Sequence, residues 1–290
     1  MSEYCLFTDS SCDLPSALAD KMELRVAPLT ATIGGADYVN YLDEREIKLA
    51  EYYRMLREKM PGKTSAVNVD VFLKMMTPEL EAGRDILYLG FSTGLSGTYN
   101  AGEVAATELR AKFPDRKIYT VDTLCASMGE GLIDYLVWQK KQAGATIEEA
   151  RDYAESIKLH VCHWFTVEDL HHLKRGGRVS AATAVVGTLL SIKPVMHVDD
   201  AGKLINMEKA RGRNASLSRL VQIVAERADP PLSEQTVFIS HGDCEAEAEK
   251  VAAMLKQKGA KDVIVSVIGP VIGTHSGPGT MALFFLGKER

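Results

Sequence analysis

The sequence predicts an α/β protein of two lobes, each built on a mostly parallel sheet flanked by helices. Short β-branched or aromatic runs alternate with segments of helical periodicity from end to end. Two of these runs, Ile86–Gly90 and Ile118–Asp122, read as buried parallel strands that lead into small-residue loops and helices. The length of 290 residues lies where a single core stops growing, at roughly 250–300 residues, so two lobes are expected. The join falls near residues 155–160, dividing the chain into an N-terminal lobe, 1–158, and a C-terminal lobe, 159–290.

The first strand is expected over Cys5–Thr8, followed by a hydroxyl- and acid-rich turn and a short helix opened near Pro15. Leu24–Ile33 and Asp37–Asn40 flank Gly34-Gly35, a pair suited to a tight hairpin because both positions tolerate positive φ. Ile47, Ala50, Tyr53, Leu56 and Met60 recur at helical spacing, and Asn68 caps a helix that Pro78 is expected to interrupt. Thr146 and Glu149 form a capping box for a helix running toward Leu159. In the second lobe Val161–Val167 is a strand, and Ile192–Val198 with Lys203–Ala210 forms a hairpin. Strands at Val237–His241, Val263–Ile268 and Met281–Leu286 are separated by helices at about Asn214–Ala228 and Ala246–Lys258.

Composition narrows the function. The chain is 46% hydrophobic and 25% charged, ordinary for a folded protein and unlike a disordered or disulfide-built one. Lys and Arg number 34 against 39 Asp and Glu, a net charge of -5, and the basic residues form only short clusters. That excludes a general nucleic-acid-binding role. Five scattered cysteines with no C-x-x-C pair point to reduced thiols and a cytoplasmic protein. The opening MSEYCLFTDSSCD has acids where a secretory signal needs a basic region. Val263–Gly287 lacks Asp, Glu, Lys and Arg, but Pro270, Pro278 and several glycines break it, so no membrane-spanning helix is expected.

In open α/β sheets ligands sit beyond the carboxyl ends of strands. The richest such loop is Phe91–Thr98. Its glycines permit close backbone approach, its four hydroxyls can donate, and the helix that follows adds a positive dipole end; together they suit a carboxylate or a phosphate. Thr64 and Ser65, in a Pro-Gly-Lys-Thr-Ser loop ahead of a helix, read on their own as capping residues, and the earlier glycine of a nucleotide-binding P-loop is missing. Asp9, Ser11 and Asp13 alternate after the first strand, a pattern of turn bonding and capping rather than of a cation site. His160, His163, His171 and His172 surround Cys162, but strand and helix geometry turns them apart, so no metal is expected. His275 lies in the Gly/Pro-rich loop Gly273–Gly279, where an imidazole can donate to an anion or act as a base. Two basic clusters remain. Lys174–Arg178 carries the marks of a helix end, and Arg211-Gly212-Arg213 suits planar oxyanion recognition of a ligand or a partner's phosphate.

Taken in order, TDSSCDLP, Pro28-Leu29, Lys63-Thr64-Ser65, GLSGT at Gly94–Thr98, LKRGGRVS at Leu173–Ser180 and the closing Gly273-Thr-His-Ser-Gly-Pro-Gly make the chain resemble the DegV family. That family includes the fatty-acid-binding subunits of bacterial fatty-acid kinase, and the resemblance runs from about Phe7 to Phe285. It implies a two-lobed fold with a long-chain fatty acid between the lobes, the acyl tail in an apolar tunnel of the second. Thr64, Ser96 and His275 match the family's carboxylate-contacting positions, with Ser65 and Gly97 beside them. Arg175 or Arg178 matches the nearby basic position, and Arg211 or Arg213 one associated with an ATP-dependent kinase partner. Ala66-Val67 follow Thr-Ser where family members often continue Gln-Pro. The implied role is a non-catalytic carrier needing no cofactor, whose bound carboxylate the kinase converts to an acyl phosphate. The segments Val179–Ile192 and Val263–Ile272, rich in small and β-branched residues, would wall the tunnel.

The alternative is a serine hydrolase with Ser96 as nucleophile, His275 as base and Asp9 or Asp122 orienting it. Against it, Thr98 stands where the nucleophile elbow G-x-S-x-G needs its last glycine.

Overall fold

The computed structural model describes residues 3–179 and 192–290. Four strands, β1 (Tyr4–Asp9), β2 (Arg25–Ala27), β6 (Asp85–Gly90) and β7 (Ile118–Asp122), make a wholly parallel sheet in the order β2-β1-β6-β7. A small antiparallel sheet sits beside it, with β3 (Thr30–Ile33) between β4 (Ala36–Val39) and β5 (Gly62–Ser65). The third sheet has the order β10-β9-β8-β13-β11-β12. Its strands are β8 (Val161–Thr166), β9 (Ile192–Val198), β10 (Leu204–Arg211), β11 (Thr236–His241), β12 (Asp262–Val267) and β13 (Met281–Leu286).

The expected α/β fold is present, and the mostly parallel sheet is found in the first half of the chain. The large second sheet corrects that expectation: only β11 and β12 pair in parallel, and every other pairing is antiparallel. The cause is connectivity. Leu204–Arg211 returns directly on Ile192–Val198 as a hairpin, and β13 reaches the slot between β8 and β11 from the opposite direction.

Helices fill the spaces between sheets. α5 (Met128–Gln142) lies between the parallel sheet and the six-stranded one, in a shared core containing Leu6, Leu89, Leu132, Phe165, Phe238 and Phe284. Alternation along β6 explains the two-sided burial: Leu87 and Leu89 face α5, while Ile86 and Tyr88 face the opposite core with Phe72 and Ala105. That second core holds α2 (Leu49–Arg57), α3 (Val69–Glu81) and α4 (Thr98–Lys112). A third core packs α8 (Arg213–Arg227) and α9 (Glu245–Gln257) on the outer face of the six-stranded sheet. α1 (Ser16–Lys21), α6 (Ile147–Ile157), α7 (His171–Arg175) and α10 (Pro270–Ser276) are the other α-helices among the described residues; the capping box on α6 forms as read.

Four local expectations are corrected. The run Leu24–Ile33 is two strands, not one. Pro28 has no amide to donate, the Leu29 amide instead reaches Ser10 Oγ at 3.0 Å, and the chain passes from one sheet to another there. Asn68 caps α3 through the Val71 amide, but Pro78 lies inside the helix, which continues to Glu81. Thr64-Ser65 belongs to edge strand β5 rather than to a loop. His275 sits in the last turn of a short helix with Pro270 at its start and Gly277 at φ 81° ending it, not in an irregular loop. Among the described residues no helix is long and apolar enough to cross a membrane.

Candidate functional site

The carboxyl ends of β6 and β7, the inner face of the six-stranded sheet and α10 enclose a cavity of about 150 Å³. Its wall is mostly apolar, with Phe91, Phe165, Leu173, Val198, Ile268 and Phe284 among the side chains that form it. The sheet places them: Phe165 pairs across from Ala282, and Ala282 from Ser240, so one row of inward side chains forms one side.

Polar groups gather in one part of this wall. Thr64, from β5, shares a 2.8 Å hydrogen bond between its Oγ1 and His275 Nε2. Alternation along β5 directs Thr64 and Ser65 to opposite sides, and Ser65 is exposed and outside the cavity wall. Ser96 lies just before α4, where its Oγ accepts from the Thr98 amide at 3.2 Å and meets Thr98 Oγ1 at 2.9 Å. Gly97 occupies the N-cap of this 15-residue helix and, having no side chain, leaves the positive end of the helix open to the cavity. Arg178 is the one lysine or arginine among the described lining residues; its Nε donates to Leu95 O at 3.3 Å and its Nη1 to Gly176 O. Arg175 is exposed and turned away, with its guanidinium on His172 Nδ1 at 3.0 Å. Where the motif left two arginines open, Arg178 is the one that lines the cavity.

His275 is held neutral. Burial, and then the nearby Arg178 guanidinium, lower its pKa to about 4. Gly176 makes room for the ring: a Cβ built there would lie 2.0 Å from His275 Nδ1. That nitrogen is buried and meets no hydrogen-bonding group among the described residues. An arginine, a helix N-terminus, a hydroxyl pair and an imidazole on an apolar cavity can hold an anionic head and enclose an apolar tail.

The parts of a hydrolase do not assemble. Ser96 Oγ and His275 bond to Thr98 and Thr64 rather than to each other. Asp9 is fully buried and engaged by Ser11, Tyr88 and the Phe91 amide, and Asp122 binds Thr93 and the Leu124 amide.

Away from the cavity, Arg211 is exposed and its side chain makes no hydrogen bond or ion pair among the described residues. Arg213 is instead bound to Glu247, with Nη2 at 2.6 Å from its carboxylate. The Val263–Ile272 segment contributes Ile268, Val271 and Ile272 to the wall, whereas Val263 and Val265 pack in the outer core. Of Val179–Ile192, all but the end residues lie outside the described residues.

The sequence reading missed Ser127, Ser240 and Ser276, which also line the cavity. Ser127 had a usable cue, because it lies in the loop after β7 that corresponds to Phe91–Thr98 after β6. Ser240 had none beyond being a serine inside an apolar strand.

The fold and site thus define an α/β protein with a largely apolar cavity and an anion-suited polar end. The chain belongs to the DegV family: the model described as an uncharacterised protein of the DegV family matches residues 4–288. A DegV domain-containing protein of Clostridium perfringens is 43% identical, covering 100% of this chain and 99% of the relative. Among solved structures, a DegV lipid binding protein from Thermotoga maritima is similar at 28% identity and a TM-score of 0.84, covering 99% of each chain. A fatty acid binding DegV family protein from Streptococcus agalactiae is similar at 28% identity and a TM-score of 0.85, covering 100% of both.

Proposed function

We propose that this chain binds a long-chain fatty acid and presents its carboxylate to an ATP-dependent fatty-acid kinase subunit. Arg178, Thr64, His275, Ser96 and the open helix end at Gly97 form the carboxylate site, and the apolar cavity takes the acyl chain. The observation that carries this reading is the convergence of those polar groups, from four separate segments, on one part of a wall that is otherwise hydrocarbon. It is supported by the solved relatives described as binding lipid or fatty acid at 28% identity over almost the whole chain. Transfer of an acyl chain from water would contribute about 0.8 kcal/mol per buried CH₂, so the tail supplies affinity and the polar end supplies orientation.

In this reading the chain is a carrier without a catalytic group or cofactor of its own, and phosphoryl transfer belongs to the partner. Arg211 faces that partner, while Arg213 supports the turn through Glu247. The lobes divide at 158/159, because the two smaller sheets draw their strands from before that point and the six-stranded sheet from after it. Five unpaired cysteines support a cytoplasmic setting. The test is mass spectrometry of an organic extract of the purified protein. A stoichiometric fatty acid is expected; its absence, together with no binding on titration, overturns the proposal.

A further inference from the structure

A chain of polar side chains enters the hydrocarbon wall from behind. Ser240 occupies an inward position of β11, in register with Ala282, where an alkyl side chain would pack equally well. Its Oγ lies 2.9 Å from Ser127 Oγ, which lies 2.6 Å from Asp13 Oδ2; Asp13 Oδ1 accepts from the Gly269 amide at 2.9 Å. Both ends of the Ser127–Asp13 link are held at positive φ, 52° and 51°, although neither residue is glycine. Such backbone costs free energy and persists only where its surroundings enforce it. Ser276, on α10, is a second buried hydroxyl in the wall, and its Oγ meets no hydrogen-bonding group among the described residues.

We propose that Ser240, relayed through Ser127 to Asp13 and assisted by Ser276, is a recognition station for a hydroxyl group carried along the acyl chain, so that this cavity selects hydroxylated fatty acids. The inference rests on the fatty-acid reading above. With Asp13 ionised, Ser127 spends its one proton on the carboxylate and Ser240 spends its own on Ser127, leaving Ser240 lone pairs toward the cavity. With Asp13 protonated the chain reverses and Ser240 presents its hydrogen instead. Burial raises the Asp13 pKa to about 7, so both directions are accessible near neutrality. A hydroxyl both donates and accepts, and therefore satisfies either direction. A methylene satisfies neither, leaving an enclosed hydroxyl without its full set of partners.

A purely structural role is separable from this one. As a tie between β11, the N-terminus of α5 and the turn after β1, the chain would affect stability but not the choice between ligands. The experiment uses delipidated full-length protein and measures competition between octadecanoic acid and a positional series of monohydroxyoctadecanoic acids. In wild type at least one mid-chain isomer is expected to compete better than the other positions. Ser240→Ala should reduce that preference by about three- to tenfold, read as the ratio of hydroxylated-isomer to octadecanoic-acid affinity within the same variant. Ser276→Ala, at the second hydroxyl, should reduce it to a smaller extent. An unchanged ranking of isomers in both variants overturns the proposal. Failure of wild type to bind octadecanoic acid or any isomer would overturn the fatty-acid reading instead, and this inference with it.

Discussion

At the scale of single residues, the polar end of the cavity depends on groups whose hydrogen-bonding capacity is not exhausted within the protein. His275 has one ring nitrogen on Thr64 and the other enclosed against Gly176. Ser96→Ala is expected to weaken fatty-acid binding by about 1.5–3 kcal/mol, the contribution of a hydrogen bond to a charged group, and His275→Ala to weaken it by releasing the Thr64 hydroxyl that Nε2 holds. Titration calorimetry on delipidated protein measures this, and wild-type affinity in both variants would place the carboxylate elsewhere. Gly176→Ala makes a sharper prediction. Its Cβ would fall 2.0 Å from Nδ1, so the ring must move, and binding should fall about as far as in His275→Ala. Gly177→Ala is the contrast: a Cβ there meets nothing within 4 Å, but its φ of 70° strains any side chain. That variant should lose stability, by about 1 kcal/mol, more than affinity.

At the scale of elements, the hairpin of β9 and β10 closes over the loop that carries Ser96. Its turn is seated on that loop by Ser92 Oγ donating to Gly202 O at 2.9 Å. A Cβ on Gly202 would lie 2.0 Å from the same Ser92 Oγ, at a φ of 69°. Gly202→Ala should therefore lower stability by about 1–3 kcal/mol and loosen ligand retention, read from thermal melts with and without fatty acid. At the far end of β10 the expectation differs. Arg211→Ala should leave bound lipid unchanged and reduce acyl-phosphate formation by a cognate kinase, because the guanidinium projects from the surface. Loss of both activities would assign Arg211 to the fold, and retention of both would leave it an ordinary surface residue.

At the scale of the whole molecule, buried ionisable groups oppose one another across pH. Burial lowers His163, His197, His241 and His275 below the usual 6.5, so their neutral forms favour folding above that pH, and the contribution is lost as pH falls through their folded values. Burial raises Asp9, Asp13, Glu130 and Asp134, so their protonated forms favour folding, and the contribution is lost as pH rises from the usual carboxylate range through the raised values. Between about pH 4 and 6.5 the two sets act in opposite senses. The Asp13 contribution should therefore be lost as pH rises from about 4 to about 7, over the same range in which His275 gains its own. Asp134 is fully buried and its pKa is raised well above the usual carboxylate value by burial, so Asp134→Asn, which cannot ionise, should lessen the loss of stability on raising pH in calorimetric melts.

Local chemistry determined a large part of this protein in advance. Alternation and helical spacing located β1, β6, β7, β8 and β13 within a residue or two, because each is a run whose burial pattern is written in its own side chains. Asn68 and the Thr146–Glu149 box marked their helix starts because a cap is a contact over three residues. Motif order also singled out Thr64, Ser96 and His275, and the fold brings all three to one cavity from positions as far apart in the chain as 64 and 275. What only the tertiary structure decided is direction and partnership. Strand direction in the six-stranded sheet follows from which edge each returning segment meets, a relation between distant segments that no window of sequence contains. The choice between Arg175 and Arg178 at the cavity turns on rotation about one helix end, and the Asp13–Ser127–Ser240 chain joins three residues whose separate surroundings look ordinary. Hydrogen bonds and charges act over a few ångströms of space, and only the folded chain sets which residues fall within that distance.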